Sequence, residues 1–577
     1  MKRISNILVA LVMLLGCGTL TSCFSDLDTT PIDENQLVTE KVYSTADGYM
    51  GVLAKCYSTL ILTGQQGGDG GDGDLIGANE GYSGYVRLLF YLEELPTDNF
   101  IMPSQSNGLR KCLNITWGAG DAAVITWTYQ RLYMAIAYSN EFLRECTADK
   151  LRSRGVWDDL KDNYEQYRAQ ARFIRAYAYM MLCNLYGNVP MVDENTGYKD
   201  IPEQWSRERI FDWTVSEIKA VIGEGNENST EVLAGPKGAV YGQVDRVAGW
   251  YLLARMYLNA ETWIGRDCYQ QAYEYAKRII DSGAYPLERD YRHLFLADND
   301  RCTEIIWPLV QDGLKAQSSA GTNFYVKAFV NGPMDELYQT GVGSKGWGNV
   351  RAKTTLCKAF DASDIMFDVN DTWGNNKADK RAQFMTALPN QTMNTWDENE
   401  AMTSTFTCGY GYIKWRNVTR DDKICASGDT YTSVDFPLFR SADAYLMAAE
   451  AILRGASGSR GEALGYVNEI RQRAYMSGPY AQPGVRSDVS GKITDAELTL
   501  DFILDERQRE FASECMRRDD LVRYGLFTSG RNWDWKNAQR LGSDVDKHFN
   551  LFPIPETELT NNPTIEQNPG YPVNVVK

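Results

Sequence analysis

The chain has 577 residues, 44% of them hydrophobic and only 18 of them Pro, which supports a folded body with a large core rather than disorder. A formal charge of −17 repels nucleic-acid phosphates and argues against DNA or RNA as a partner. Two His, at 293 and 548, and 12 scattered Cys with no C-x-x-C argue against a His-rich zinc site and against a disulfide framework.

At the amino terminus, Lys2 and Arg3 precede an apolar run at 7–15 that is too short to span a bilayer. Leu20-Thr21-Ser22-Cys23 follows, small residues ahead of a Cys, in the form of a bacterial lipoprotein signal. A thioether to lipid needs a thiol, so 1–22 is read as signal peptide and Cys23 as the acylated first residue of the mature chain. Asp26 and Asp28, just past it, agree with export to the outer leaflet, and no later segment has the apolar length that spanning needs. A tether containing Pro31 covers 24–39, and helical period over 40–62 puts Val42, Ala46, Tyr49, Leu53 and Tyr57 on one face. The Gly- and Asp-rich stretch at 64–77 approaches a calcium-binding repeat, but Asp74 stands where an apolar residue belongs, so a flexible polar loop is expected.

Helical period returns at 121–146, 158–186, 207–222, 245–260 and 269–281. In the last two, Ala254, Ala272 and Ala276 stand beside Tyr257 and Tyr275, the small-next-to-aromatic pattern by which tetratricopeptide-like helix pairs interlock. Over 289–440 Gly, Asn, Asp and Trp are frequent and helical runs are short. Helices resume at 441–454, 462–474 and 494–511, before a Pro- and Asn-rich tail from 551. The expectation is a mainly α protein: one domain over 23–577, a tetratricopeptide-like scaffold carrying a loop-rich insertion at about 289–440. Glu506, Glu510 and Glu514 recur at one-turn spacing and could be glycosidase carboxylates, yet the surrounding Arg residues favour ion pairs that lock helix crossings. Asp300, in Ala297-Asp298-Asn299-Asp300, together with Asp435 could hold a hard cation such as calcium, although a solvated turn is the preferred reading; no other cofactor is expected.

Several blocks converge on one family. Ala169-Gln170-Ala171-Arg172-Phe173-Ile174-Arg175-Ala176-Tyr177 runs on to Tyr186-Gly187-Asn188-Val189-Pro190; Leu504-Asp505-Glu506-Arg507 and Arg517-Arg518-Asp519-Asp520-Leu521 stand near the end; Gln567-Asn568-Pro569-Gly570-Tyr571 closes the tail. With the lipoprotein signal, this resembles the SusD/RagB family of nutrient-binding lipoproteins. The resemblance implies a tetratricopeptide-like scaffold on the outer membrane, lipid-anchored and exposed at the cell surface. It also implies a SusC-like TonB-dependent barrel as partner, an oligosaccharide as ligand, and binding rather than catalysis. Glu94-Leu95-Pro96-Thr97-Asp98, Gln311-Asp312-Gly313 and Pro437-Leu438-Phe439-Arg440 bring the chain near the starch-binding branch. In that branch an Arg, an Asn and an arc of aromatics hold the glycan. The Arg carries over to Arg87, the Asn to Asn107 and one arc ring to Trp347; the other two arc positions hold Ser104 and Ser319. A glycan other than starch, a fructan among the options, is therefore expected. Starch, a peptide as in RagB, and a surface glycosidase remain the alternatives. Tyr325, Trp373, Trp396, Tyr410 and Trp415 are candidate replacement rings.

The lipoprotein reading has a direct check. Cys23→Ala leaves the protein soluble or unprocessed and unlabelled by palmitate; a variant that still labels and still partitions with the outer membrane refutes the assignment.

Overall fold

The computed structural model describes residues 39–64, 73–75, 77–78, 80–104, 106–197, 199–225, 229–330, 332–366, 368, 370–385 and 410–572. The signal peptide, Cys23, most of the 64–77 loop and Trp396 lie outside them. Among the described residues no helix is long and apolar enough to cross a membrane.

The principal helices are α1 (Ala46–Ser58), α2 (Ala123–Glu145), α3 (Tyr164–Leu185), α4 (Arg207–Val221), α5 (Arg246–Ile264), α6 (Tyr269–Ser282), α7 (Ser441–Leu453), α8 (Arg460–Ala474) and α9 (Leu500–Phe511). Their starts are set by side chains that accept otherwise unpaired backbone N–H groups: Thr45, Ser206, Asp245, Ser459 and Thr499 each cap the helix that follows. Gly265 and Gly283, in the left-handed region at φ 71° and 59°, end α5 and α6. Capping also explains where the observed boundaries depart from the periodicity. The predicted 494–511 helix is a short turn at Asp495–Glu497 closed by a Thr494–Glu497 capping box, followed by α9, which begins only after Thr499. The predicted 158–186 helix is likewise a turn at Trp157–Leu160 and then α3.

From α1 to α8 each helix packs on the next, giving a stack of helix pairs of tetratricopeptide type. Ala254, Ala272 and Ala276 are fully buried at the α5–α6 crossing, where Tyr257 and Tyr275 stack at 5.9 Å. Gly249 lets α5 approach α4: a Cβ there would lie 2.3 Å from Ile222. Helix α6 packs on α7 although the whole insertion separates them in sequence, so 289–440 leaves and re-enters the stack at neighbouring points. The insertion's frame is an antiparallel pair, β1 (Ile305–Leu309) and β2 (Phe436–Arg440), with an irregular register around Trp307. All five residues of each strand are buried. A strand covered on both faces shows no alternation, which is why the sequence reads there as irregular.

A fully enclosed ion network joins the insertion to the helical stack. Glu510 of α9 meets Arg440 at 2.7 Å, Arg381 at 3.0 Å and Arg473 of α8. Glu506 meets Arg381 at 2.8 Å, Arg471 at 2.8 Å and Arg509 at 2.7 Å. Glu514 pairs with Arg440 and Lys414, each at 2.6 Å, and Glu304, at the start of β1, with Arg440 at 2.8 Å and Arg473 at 3.1 Å. The side chains of Glu304, Glu506, Glu510, Glu514, Arg381, Arg440, Arg473 and Lys414 are all 0% exposed. These carboxylates are thus the structural ion pairs expected from their Arg-rich setting, closed off from any substrate bond.

Burial pushes the Glu510 carboxyl up, but Arg473, Arg440 and Arg381 overcome it and hold it down at about 2; Arg523 and Arg454 do the same for Glu450, also at about 2. A depressed carboxyl contributes stability that is present above the unfolded value, about 4.3 for Glu, and is lost as pH falls toward the folded one. The thermal midpoint therefore drops steeply between roughly pH 4.5 and 2. Glu506→Gln or Arg507→Ala, which strand buried partners, cost about 3–5 kcal/mol in denaturant unfolding. Either variant with full thermal stability but lost ligand binding reverses the structural reading.

Candidate functional site

Arg87 lies on the short helix Tyr85–Leu89, which runs directly into a wide π turn at Phe90–Glu94, with the Leu95 N–H donating to Phe90 O at 2.9 Å. Such wide turns occur where a helix is reshaped around a site. The guanidinium is 5% exposed and boxed by rings: Tyr82 at 4.2 Å, Phe324 at 4.7 Å, Trp347 at 5.4 Å and Tyr91 at 5.7 Å. Its Nε donates to the Tyr91 hydroxyl at 2.5 Å and its Nη1 donates to Gly81 O. Among the described residues nothing accepts from Nη2, and that atom is not fully enclosed. Arg87 therefore keeps one donor, Nη2, without a partner among the described residues, and two of the rings around the guanidinium, Tyr82 and Trp347, are half-buried.

Arg87 and Trp347, far apart in sequence, are thus brought together. Trp347 is placed by its backbone, whose N–H donates to Lys327 O at 2.7 Å, and by ring contact with Phe324 at 6.5 Å. The loop before it is pinned where Lys345 Nζ meets Asp429 at 2.6 Å and the Thr430 hydroxyl at 2.7 Å. Asn107 is half-buried in a turn at φ 56° that leads into the helix Leu109–Asn114, which packs on the π turn. Its side chain has no hydrogen-bond partner among the described residues. Of the two serines at arc positions, Ser104 is half-buried and Ser319 is 5% exposed. The loop of Ser319 rests on the Arg87 helix entrance: a Cβ at Gly84 would lie 2.4 Å from Ala320 Cβ. Of the candidate rings, Tyr325 and Trp415 are core at 0% and 1% exposure, while Trp373 and Tyr410 are half-buried and stand outside the box. Tyr82, Tyr91 and Phe324 were missed. The i+4 spacing of Tyr91 from Arg87 was a legible signal; Phe324 arrives from the insertion and carried none.

Asp435 is 3% exposed and its oxygens are already used: Oδ1 accepts from Gln311 N at 2.7 Å and Oδ2 from the Tyr241 hydroxyl at 2.5 Å. Burial pushes its carboxyl up to about 7, and the charges of Asp300 and Asp312 act in the same direction. Asp300 is exposed. Among the described residues no three His, Cys, Asp or Glu side chains gather as metal ligands, whereas calcium takes about six to eight oxygens.

Known proteins share this architecture. The SusD family profile matches residues 303–571, and a second profile, described as starch-binding associating with outer membrane, matches 76–258. The starch-binding protein SusD of Bacteroides thetaiotaomicron is 32% identical, over 97% of this chain and 98% of that protein. The chain belongs to the SusD family. SusD-like protein P38 of Formosa agariphila is 24% identical over 99% of this chain and all of that protein (100%). Among solved structures, surface glycan-binding protein A of Bacteroides thetaiotaomicron, in complex with laminarihexaose, superposes with TM-score 0.63 at 19% identity, covering 91% of this chain and 99% of that one. A second SusD superfamily structure from that organism gives TM-score 0.64 at 20% identity, covering 91% of this chain and 100% of that one. These matches bear out the expected family and the mainly helical scaffold.

Proposed function

We propose that this protein is a cell-surface lipoprotein that captures an oligosaccharide at the outer membrane and hands it to a SusC-like TonB-dependent barrel, without chemistry of its own. The observation that carries this reading is the Arg87 box. A sugar offers an apolar C–H face and an edge of hydroxyls, and binds where an aromatic face adjoins a planar polar group. Arg87 supplies the planar donor, and Trp347 and Tyr82 supply the faces; Asn107, with its amide unengaged, is the second polar contact. The relatives named as starch-binding or crystallised with laminarihexaose support carbohydrate as the ligand class and differ in the glycan.

A glycan other than starch fits this chain better, a fructan being one option. Ser104 and Ser319 offer no ring, and Ser319 is buried in a loop that rests on Gly84. Trp347→Ala weakens binding to the true glycan at least several-fold, a loss above about 1 kcal/mol for a stacked anchor, without unfolding the protein. Maltoheptaose and amylopectin bind poorly in calorimetry, and the purified protein releases no reducing sugar. Tight starch binding, or undiminished glycan binding by Trp347→Ala, defeats this assignment.

The cation reading of Asp300 and Asp435 is carried forward as a proposal: burial chiefly raises the Asp435 carboxyl, with a smaller push from the charges of Asp300 and Asp312, and a divalent ion beside these carboxylates would oppose both. A ligand held only by the native state stabilises it by about 2.7 kcal/mol at a hundredfold excess over Kd. Calcium then raises the melting temperature of the wild type and not that of Asp435→Asn; equal melting in calcium and in chelator rules the cation out.

A further inference from the structure

A second, separate cleft opens in the insertion. Its volume is about 190 Å³, and Arg292, His293, Trp373, Asn375, Arg420 and Asp422 line it. It shares no lining residue with the Arg87 box. Phe295, beside it, is linked to Phe324 of that box through the ring contacts Phe295–Trp415 (4.9 Å), Trp415–Tyr325 (5.1 Å) and Tyr325–Phe324 (5.4 Å). The cleft and the box are therefore separated by buried aromatic core.

Trp373 is the wall of this cleft, and its placement is over-determined. Its indole N–H is shared between both Asp422 oxygens, at 2.9 and 3.0 Å. Behind it the buried Arg416 guanidinium lies 4.5 Å from the ring and donates to Thr372 O at 2.6 Å. Arg292 donates to Trp373 O at 2.8 Å and to Asn375 Oδ1 at 2.7 Å. Trp373 lines both the small enclosed space beside Arg416 and the open cleft, and it is half-buried, so part of the side chain stays accessible. The cleft's cations are already matched: Arg292 is held by Asp290 at 2.9 and 2.6 Å, and Arg420 by Asp298 at 3.1 Å. What remains for a ligand is an aromatic face, the exposed Asp422 carboxylate as acceptor, and Asn375 Nδ2, which donates to nothing among the described residues.

We infer that this cleft is a second carbohydrate site, distinct from the Arg87 box. It takes one neutral sugar ring of a chain that continues into solvent. The ring's C–H face lies on Trp373, and neighbouring hydroxyls donate to Asp422 and accept from Asn375. An anionic ligand is disfavoured because it meets Asp422 with no unpaired cation opposite. The volume is below the roughly 300–1,000 Å³ of a pocket for a drug-sized molecule, in keeping with a single ring. Two sites on one chain raise the avidity for a polysaccharide long enough to span them, while each alone stays weak enough to release it. This inference rests on the glycan-binding reading, and the test separates the two.

Affinity electrophoresis of the purified full chain through gels containing laminarin, inulin, arabinoxylan, galactan or amylopectin selects the polysaccharide. Calorimetry then follows, with an oligosaccharide of it too short to bridge two sites. Two sites per chain are expected in the wild type and one each in Trp373→Ala and Trp347→Ala. In the Trp347→Ala background, Asp422→Asn weakens the remaining site several-fold with unchanged melting, which keeps the test decisive if Trp373→Ala misfolds. One site in the wild type that Trp373→Ala leaves intact overturns the cleft and spares the Arg87 site. One site lost in Trp373→Ala but kept in Trp347→Ala supports the cleft and overturns the Arg87 assignment. No retardation in any gel overturns the glycan-binding reading, and the cleft with it.

Discussion

The ion pair between Arg440 and Glu510 is the joint on which this structure turns. Both groups are wholly enclosed, and an enclosed charge costs several kcal/mol unless its partners are in place. Arg440 closes β2, Glu510 sits on α9, and the groups that complete their shells come from the start of β1, from α8 and from the insertion. Each element therefore satisfies charges that the others bury. Hydrophobic packing would tolerate several relative placements of insertion and stack. Charges without water tolerate one, because any other leaves a carboxylate or a guanidinium unpaired. The pairing gives a loop-rich segment a defined seat on a helical scaffold.

The same chemistry reaches the Arg87 box from below. Glu94, at the end of the π turn, accepts from Cys515 N at 3.0 Å and from Asn99 Nδ2 at 2.8 Å, and burial pushes its carboxyl up to about 8. Asp98 pairs with Arg517 at 2.7 Å. The π turn that follows the Arg87 helix is thereby tied to the chain just after α9, which anchors the segment carrying the guanidinium. Two of the rings around it come from elsewhere: Phe324 and Trp347 belong to the insertion, and Ser319 sits in the loop that rests on Gly84. On the proposed glycan-binding reading, a fixed guanidinium with exchangeable rings would let one scaffold hold different glycans, since the stacking faces set the curvature a chain must have.

The periodicity and capping residues in the sequence determined the helical stack, because an amphipathic face and a helix start are local properties. The Arg-rich setting of Glu506 and Glu510 also marked those carboxylates as structural, since a charge in an apolar helix needs a partner wherever that partner comes from. The sequence showed over 289–440 only a loss of helical period. The insertion's two strands were not legible, because strands buried on both faces carry no alternation.

Arg87 and Trp347 were singled out one by one through resemblance to the family, but nothing local joins residues 260 positions apart. Only the tertiary structure decided that Tyr82 and Phe324 complete the Arg87 box and that Tyr325 and Trp415 are core. It also decided that Trp373 and Asp422 share a cleft. An aromatic residue looks the same in sequence whether its face is buried or bare, and the difference is made by which remote element comes to cover it.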